Sequence, residues 1–214
     1  MYSRAEPSPR YIELIQLYRA MHDQGDAARG IKPENTFDGR SLVPHGQAIK
    51  ELVDAHQART LLDYGSGKGK QYHSARVEVD DGRVLSSIRE YWGVDEIRCF
   101  DPGYAQFDKL PVGKFDGVIC TDVLEHCPEQ DLPWIMGELF SFARRFVFAT
   151  VALYAAGKTL ANGENAHCTL KPVAWWRDLI GATAAAHPGV RYRFELQHKW
   201  GGNGSGLKAD IIVG

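Results

Sequence analysis

The sequence predicts a three-layer α/β fold built on a mostly parallel, doubly wound sheet that finishes in an antiparallel strand pair. Three observations carry this. Short apolar runs alternate with stretches of helical spacing over most of the chain, an order that builds a parallel sheet with helices on both faces. The run Thr60-Leu61-Leu62 feeds Asp63-Tyr64-Gly65-Ser66-Gly67-Lys68-Gly69, a strand entering a glycine-rich turn. The last two strand candidates, 192–196 and 209–213, are joined by Gly201-Gly202-Asn203-Gly204-Ser205-Gly206, a flexible connection that lacks the Gly-Lys-Ser/Thr of a phosphate loop.

The elements follow in order. Tyr11, Leu14, Ile15, Tyr18 and Met21 recur at helical spacing until Gly25, Gly30 and Pro33 break the pattern; a second helical stretch, 45–56, carries Ile49, Leu52 and Val53. Residues 1–58 therefore read as a helical cap, placed to fold over a ligand mouth or to pack on the sheet edge, and 59–214 as the core. After the glycine turn, 71–79 is ambiguous, Asp80-Asp81-Gly82 marks a turn, and Val84, Leu85, Ile88, Tyr91 and Trp92 return to helical spacing. Strands are expected at 97–100, 115–121 and 146–151, with a helix over 132–143 between the last two.

Composition narrows the function. A chain of 214 residues with a formal charge of −2 and 44% hydrophobic residues is one globular domain with an ordinary core. Without a broad cationic surface, nucleic acid is disfavoured as a partner and a small-molecule substrate is preferred. No apolar run reaches the roughly 20 residues of a membrane span, and the polar start is unlike a signal peptide, so no membrane association and a cytoplasmic location are expected. Cys99, Cys120, Cys127 and Cys168 form no C-x-x-C pair, and no disulfide is expected.

In a doubly wound sheet, ligands bind beyond the carboxyl ends of the strands. Three strand ends carry chemistry here: the glycine turn, Asp101 within Cys99-Phe100-Asp101-Pro102, and Asp122-Val123-Leu124-Glu125-His126 after Phe115-Asp116-Gly117-Val118. These motifs, in this order and with a closing antiparallel pair, resemble the class I S-adenosylmethionine-dependent methyltransferases from about Leu61 onward. The resemblance implies a Rossmann-like sheet and S-adenosylmethionine as cofactor. It implies that Gly65, Ser66, Gly67 and Gly69 bring backbone close to the methionine part, that Asp63 orients its amino group, that Asp101, with Pro102 beside it, holds the ribose, and that Asp122 and Val123 pass beside the cofactor. A nicotinamide-binding unit competes, but its glycines run G-x-G-x-x-G, here they run G-x-G-x-G, and it gives V-L-E-H no role.

Two departures from the family pattern stand out. Asp101 comes late after the glycine turn, which places an insertion within 71–95. The interval from Asp101 to Phe115 is too short for a full helix and third strand, leaving Asp108 as the candidate adenine-contacting acid.

Asp122, Glu125 and His126 form D-x-x-E-H, which at a helix start places the three on one face. A similar E-x-x-E-H occurs in a subset of the family that includes small-RNA terminal 2′-O-methyltransferases and the O-methyltransferases of ubiquinone biosynthesis. The likeness makes Asp122, Glu125, His126 and the later His167 candidate ligands of a divalent cation, which would lower the pKa of an attacking hydroxyl. Without a metal, His126 or His167 would serve as general base. Tyr154, Trp134, Trp175 and Trp176 are candidate aromatic faces for a substrate ring or the sulfonium. The expected reaction is methyl transfer to an oxygen of a small molecule. The alternatives are an enzyme of the same fold that consumes S-adenosylmethionine by cyclisation or lyase chemistry, and a non-catalytic binding protein.

Overall fold

The computed structural model describes residues 2–26, 29–73, 77–78, 84–200 and 206–214. Its strands are β1 (Thr60–Tyr64), β2 (Val77–Glu78), β3 (Val84–Leu85), β4 (Glu96–Phe100), β5 (Phe115–Thr121), β6 (Ala143–Ala152), β7 (Arg191–Trp200) and β8 (Gly206–Val213). Its α-helices are α1 (Pro9–Gln24), α2 (Gly46–Ala55), α3 (Ile88–Trp92), α4 (Leu132–Phe142) and α5 (Val173–Ala185). Six strands form one sheet in the order β4-β1-β5-β6-β7-β8, parallel except for β8, which runs antiparallel to β7 along the edge. The expected α/β architecture and its closing antiparallel pair are both present.

Period-two alternation divides the sheet between two cores. Leu62, Val118, Cys120, Val147, Ala149 and Val151 face α4 and α5, while Leu61, Ile119, Phe146 and Phe148 face α2 and α3. Buried on both faces, the central strands read as unbroken apolar runs.

The expected cap over 1–58 divides in two. The apolar residues of α2, Ile49 and Val53, pack against the sheet, and Trp92 Nε1 donates to the Gly46 carbonyl at 2.9 Å, so α2 belongs to a layer of the sandwich. Helix α1 instead lies across the ends of the strands, where Leu14 and Met21 pack with Leu160 and Ala166. Ser8 anchors its start, since its hydroxyl accepts the Tyr11 N–H and its own N–H donates to Asp131 Oδ1 at 3.0 Å.

Two local expectations are corrected. Val84 and Leu85 are not helical: they pair antiparallel with Glu78 and Val77, and the helix starts only after Ser87, whose extended backbone and side chain cap Glu90 N–H. Residues 122–126 do not begin a helix either. Pro128 disfavours helical backbone at Cys127, which sits at ψ 142°, so Leu124–His126 closes as a single 3-10 turn and α4 starts at Leu132. The β2–β3 hairpin occupies the expected insertion, and no strand lies among the described residues between Asp101 and Phe115. The expected turn at 80–82 and most of the second glycine cluster fall outside the described residues. No described helix is long and apolar enough to cross a membrane, and all four cysteines are unpaired.

Candidate functional site

The glycine turn at the end of β1 is built by backbone that other residues would strain to adopt. Gly65, Gly67 and Gly69 have φ of 82°, 56° and 63°. The N–H groups of Gly65 and Ser66 both donate to the Phe100 carbonyl, at 2.7 and 3.1 Å, which fastens the turn to the end of β4. Neighbours press close: a Cβ on Gly65 would stand 2.3 Å from Val123 Cγ2, and one on Gly67 would stand 2.4 Å from the Phe37 carbonyl oxygen.

Two carboxylates brace this turn. Asp101 accepts the Gly67 N–H on Oδ2 and the Gly103 N–H on Oδ1, both at 2.8 Å, and each oxygen keeps a lone pair for a ligand hydroxyl. Burial pushes it up to about 6 against the pull of those N–H groups. Asp63 lies deeper, where Oδ2 accepts from Tyr72 Oη at 2.8 Å and Gln71 Nε2 at 3.1 Å. Burial raises it to about 7, opposed by those two donors. His22 of α1 closes over this end, its Nε2 3.9 Å from Asp101 Oδ1 and its ring stacked 4.9 Å from that of Tyr104. Burial lowers His22 to about 4, so the ring is neutral, and its Nδ1 has no hydrogen-bond partner.

At the other end, one ligand atom each of Asp122, His126 and His167 lies within 4.8 Å of the others. Carbonyl oxygens fix both ring tautomers, because they can only accept. His126 Nδ1–H donates to the Ala166 carbonyl at 2.9 Å, with Tyr18 Oη at 2.7 Å from the same nitrogen. His167 Nδ1–H donates to the Tyr154 carbonyl at 2.6 Å. With Nδ1 so engaged, Nε2 is the nitrogen each ring has left for a ligand, and that of His167 lies 4.0 Å from Asp122 Oδ1. Burial pushes His126 down to about 4. Asp122 reaches this place through strained left-handed backbone, φ 59°, held by its N–H on Thr150 Oγ1 at 3.0 Å.

Glu125 lies behind this cluster, next to Asp122. Its carboxyl is wholly buried, Oε1 accepts the Ala152 N–H at 2.7 Å, and burial with the nearby Asp122 charge raises it well above the usual range. The converging ligand atoms are those of Asp122, His126 and His167, without Glu125.

One cavity of about 500 Å³ joins the two ends, within the range of small-molecule sites. Asp63, Gly65, Ser66, Gly67, Asp101 and Pro102 line one part of it; Asp122, Val123, His126 and His167 line the other. Gly69 stands behind the turn, against Cys99 and Phe107. Asp108 does not line it and pairs with Arg19 at 3.1 Å. Of the four aromatics, Tyr154 lines the cavity; Trp176 is buried in the core with Trp175 edge-on against it, and Trp134 packs under Arg4 and Tyr11. Sequence reasoning missed Tyr18, His22 and Phe37, which reach the cavity from the N-terminal segment. The helical spacing that contained Tyr18 was a signal for burial only. No family model, curated protein or solved structure matches the chain.

Proposed function

We propose that the chain is an S-adenosylmethionine-dependent methyltransferase that methylates an oxygen of a small molecule, assisted by a divalent cation. The observation that carries this reading is the single cavity that runs from the glycine turn and Asp101 to the Asp122–His126–His167 cluster. Donor and acceptor would thus meet beyond the carboxyl ends of parallel strands.

The residues present suit both groups. The bare lone pairs of Asp101 match the hydroxyls of a ribose, and the close approach allowed by Gly65 and Gly67 matches a ligand laid along the backbone. Asp122, His126 and His167 would hold the cation. Two imidazoles fixed by carbonyl oxygens and one carboxylate favour zinc, iron(II) or manganese over magnesium. When bound, the ion would act as a Lewis acid toward the acceptor hydroxyl, and S-adenosylmethionine would supply an activated methyl group.

The chain's own contribution is positioning and proton removal. Tyr18 and the Ala166 carbonyl orient His126, and the Tyr154 carbonyl orients His167. His126, lowered to about 4, is a weak proton acceptor. His167 lines the cavity with its Nε2 4.0 Å from Asp122 Oδ1, so it takes the role of base when no ion is bound.

Calorimetry with S-adenosylhomocysteine tests the cofactor: micromolar binding is expected, weakened at least about tenfold by Asp101→Ala through the loss of charged hydrogen bonds. Absence of binding overturns the reading. Incubation with S-adenosylmethionine and hydroxylated acceptors should release S-adenosylhomocysteine; methylthioadenosine in its place would favour cyclisation or lyase chemistry.

A further inference from the structure

Two cationic side chains line the cavity with no carboxylate paired to either among the described residues: Arg29, on the segment after α1, and Lys158, on the loop after β6. The Arg29 guanidinium stands 4.0 Å from where a Cβ on Gly157 would be, which sets it against the residue before Lys158, and both side chains line the same cavity. Lys158 Nζ lies 4.8 Å over the Phe37 ring, a contact that holds an ammonium without neutralising it. The Lys158 carbonyl accepts the Ala166 N–H at 3.1 Å, and the Ala166 carbonyl accepts His126 Nδ1–H, so Lys158 is one residue removed from the metal-ligand cluster.

The acids of the cavity are otherwise engaged or elsewhere. Asp63 and Asp101 brace the glycine turn, Asp122 belongs to the cluster, and Asp38, which also lines the cavity, has an interaction of its own. Asp26, three residues before Arg29, accepts the Arg29 backbone N–H at 3.2 Å. Two like charges lining one cavity raise its positive potential, and an anion seated in it is attracted by both. The guanidinium fork suits the paired oxygens of carboxylate or phosphate, and the ammonium adds a point charge.

We infer that Arg29 and Lys158 are an anion-recognition pair, and that the acceptor carries a carboxylate or phosphate group beside the oxygen that is methylated. The inference rests on the methyltransferase reading of the cavity. It makes the two residues determinants of acceptor choice, separate from the groups that hold the methyl donor.

Calorimetry on the protein saturated with S-adenosylhomocysteine tests it, using benzoate, phenyl phosphate and neutral phenol as probes. At least one of the two anions should bind at least about tenfold more tightly than phenol, and which one does so separates a carboxylate acceptor from a phosphate acceptor. The preference should disappear in Arg29→Gln/Lys158→Gln and persist in the charge-retaining Arg29→Lys/Lys158→Arg. Failure of both anions to bind, or an unchanged preference in the neutralised variant, overturns the inference. If the neutralised variant instead loses S-adenosylhomocysteine, the pair serves the cofactor's carboxylate and the inference also falls. Anion binding that depends on the pair, in a protein that never binds S-adenosylhomocysteine, would leave the pair standing and remove the methyltransferase reading.

Discussion

Burial of Asp63 costs the folded protein stability at neutral pH. A carboxyl that titrates near 7 when folded and near 4 when unfolded holds more protons in the folded state between those values. Its contribution is therefore fully present below about pH 4 and is lost as pH rises through 7. His22, lowered to about 4 from an ordinary value near 6.5, acts oppositely: its contribution is present above about 6.5 and is lost as pH falls through 4. The two offset each other in mildly acid solution. Asp63→Asn keeps an acceptor for Tyr72 and Gln71 but removes the charge, so its stability relative to the parent should grow as pH rises from 5 to 8 in urea unfolding. A difference that stays constant with pH would show that Asp63 is ionised at little cost. Gly67→Ala probes the turn itself: with φ 56° and the Phe37 carbonyl 2.4 Å from the new Cβ, it should cost about 2 kcal/mol or more by thermal unfolding. An unchanged melting temperature would mean that the Phe37 segment moves aside freely.

At the scale of elements, what could be read in the sequence is what local pattern dictates. The strands at β1, β5 and β6 announce themselves by apolar runs, β4 by its alternation of Ile97, Cys99 and charged residues, and the turn at 63–69 by glycines that only left-handed backbone requires. The 3-10 turn at Leu124–His126 depends on Pro128, a local signal whose effect the D-x-x-E-H spacing obscured. The contribution of α1 was hidden for a different reason: Tyr18 meets His126 across 108 residues and His22 meets Asp101 across 79, and such contacts leave no periodicity in the chain. The same holds for the strap before α1. Arg4 Nε donates to Glu138 Oε1 at 2.9 Å, Arg4 Nη2 donates to Tyr64 Oη at 2.6 Å, and the guanidinium lies 4.7 Å from the Trp134 ring centre. Arg4→Met should destabilise by about 2–3 kcal/mol, because Glu138 is left with a charge and no counterion in a largely buried place. Adding Glu138→Leu should recover more than half of that loss in chemical unfolding; a fully additive double variant would show that the pair does not interact.

Across the whole molecule, the sandwich supplies strand ends and the chain before and after it supplies the walls. Asp122 and His126 follow β5, His167 follows β6, and Tyr18, which touches His126, comes from α1. A cation at the cluster would tie together segments that the two sheet cores leave separate, so binding should stabilise the entire fold and not only the loop that holds it. Ligand at about 100 times its dissociation constant adds about 2.7 kcal/mol. In a chain of this length each kcal/mol moves the midpoint by about 2–4 °C, so zinc or manganese should raise it by about 5–11 °C. His167→Ala removes one of the three converging side chains and should abolish most of the rise. Glu125→Gln, which preserves a neutral acceptor for the Ala152 N–H, should leave it largely intact. The two variants distinguish a site made by Asp122, His126 and His167 from one made by the D-x-x-E-H motif as a unit. If Glu125→Gln abolishes the rise and His167→Ala does not, the cation is held by the motif and the tautomers fixed at Ala166 and Tyr154 have another purpose. A parent protein indifferent to every divalent ion would show that the three side chains converge for a purpose other than holding a cation.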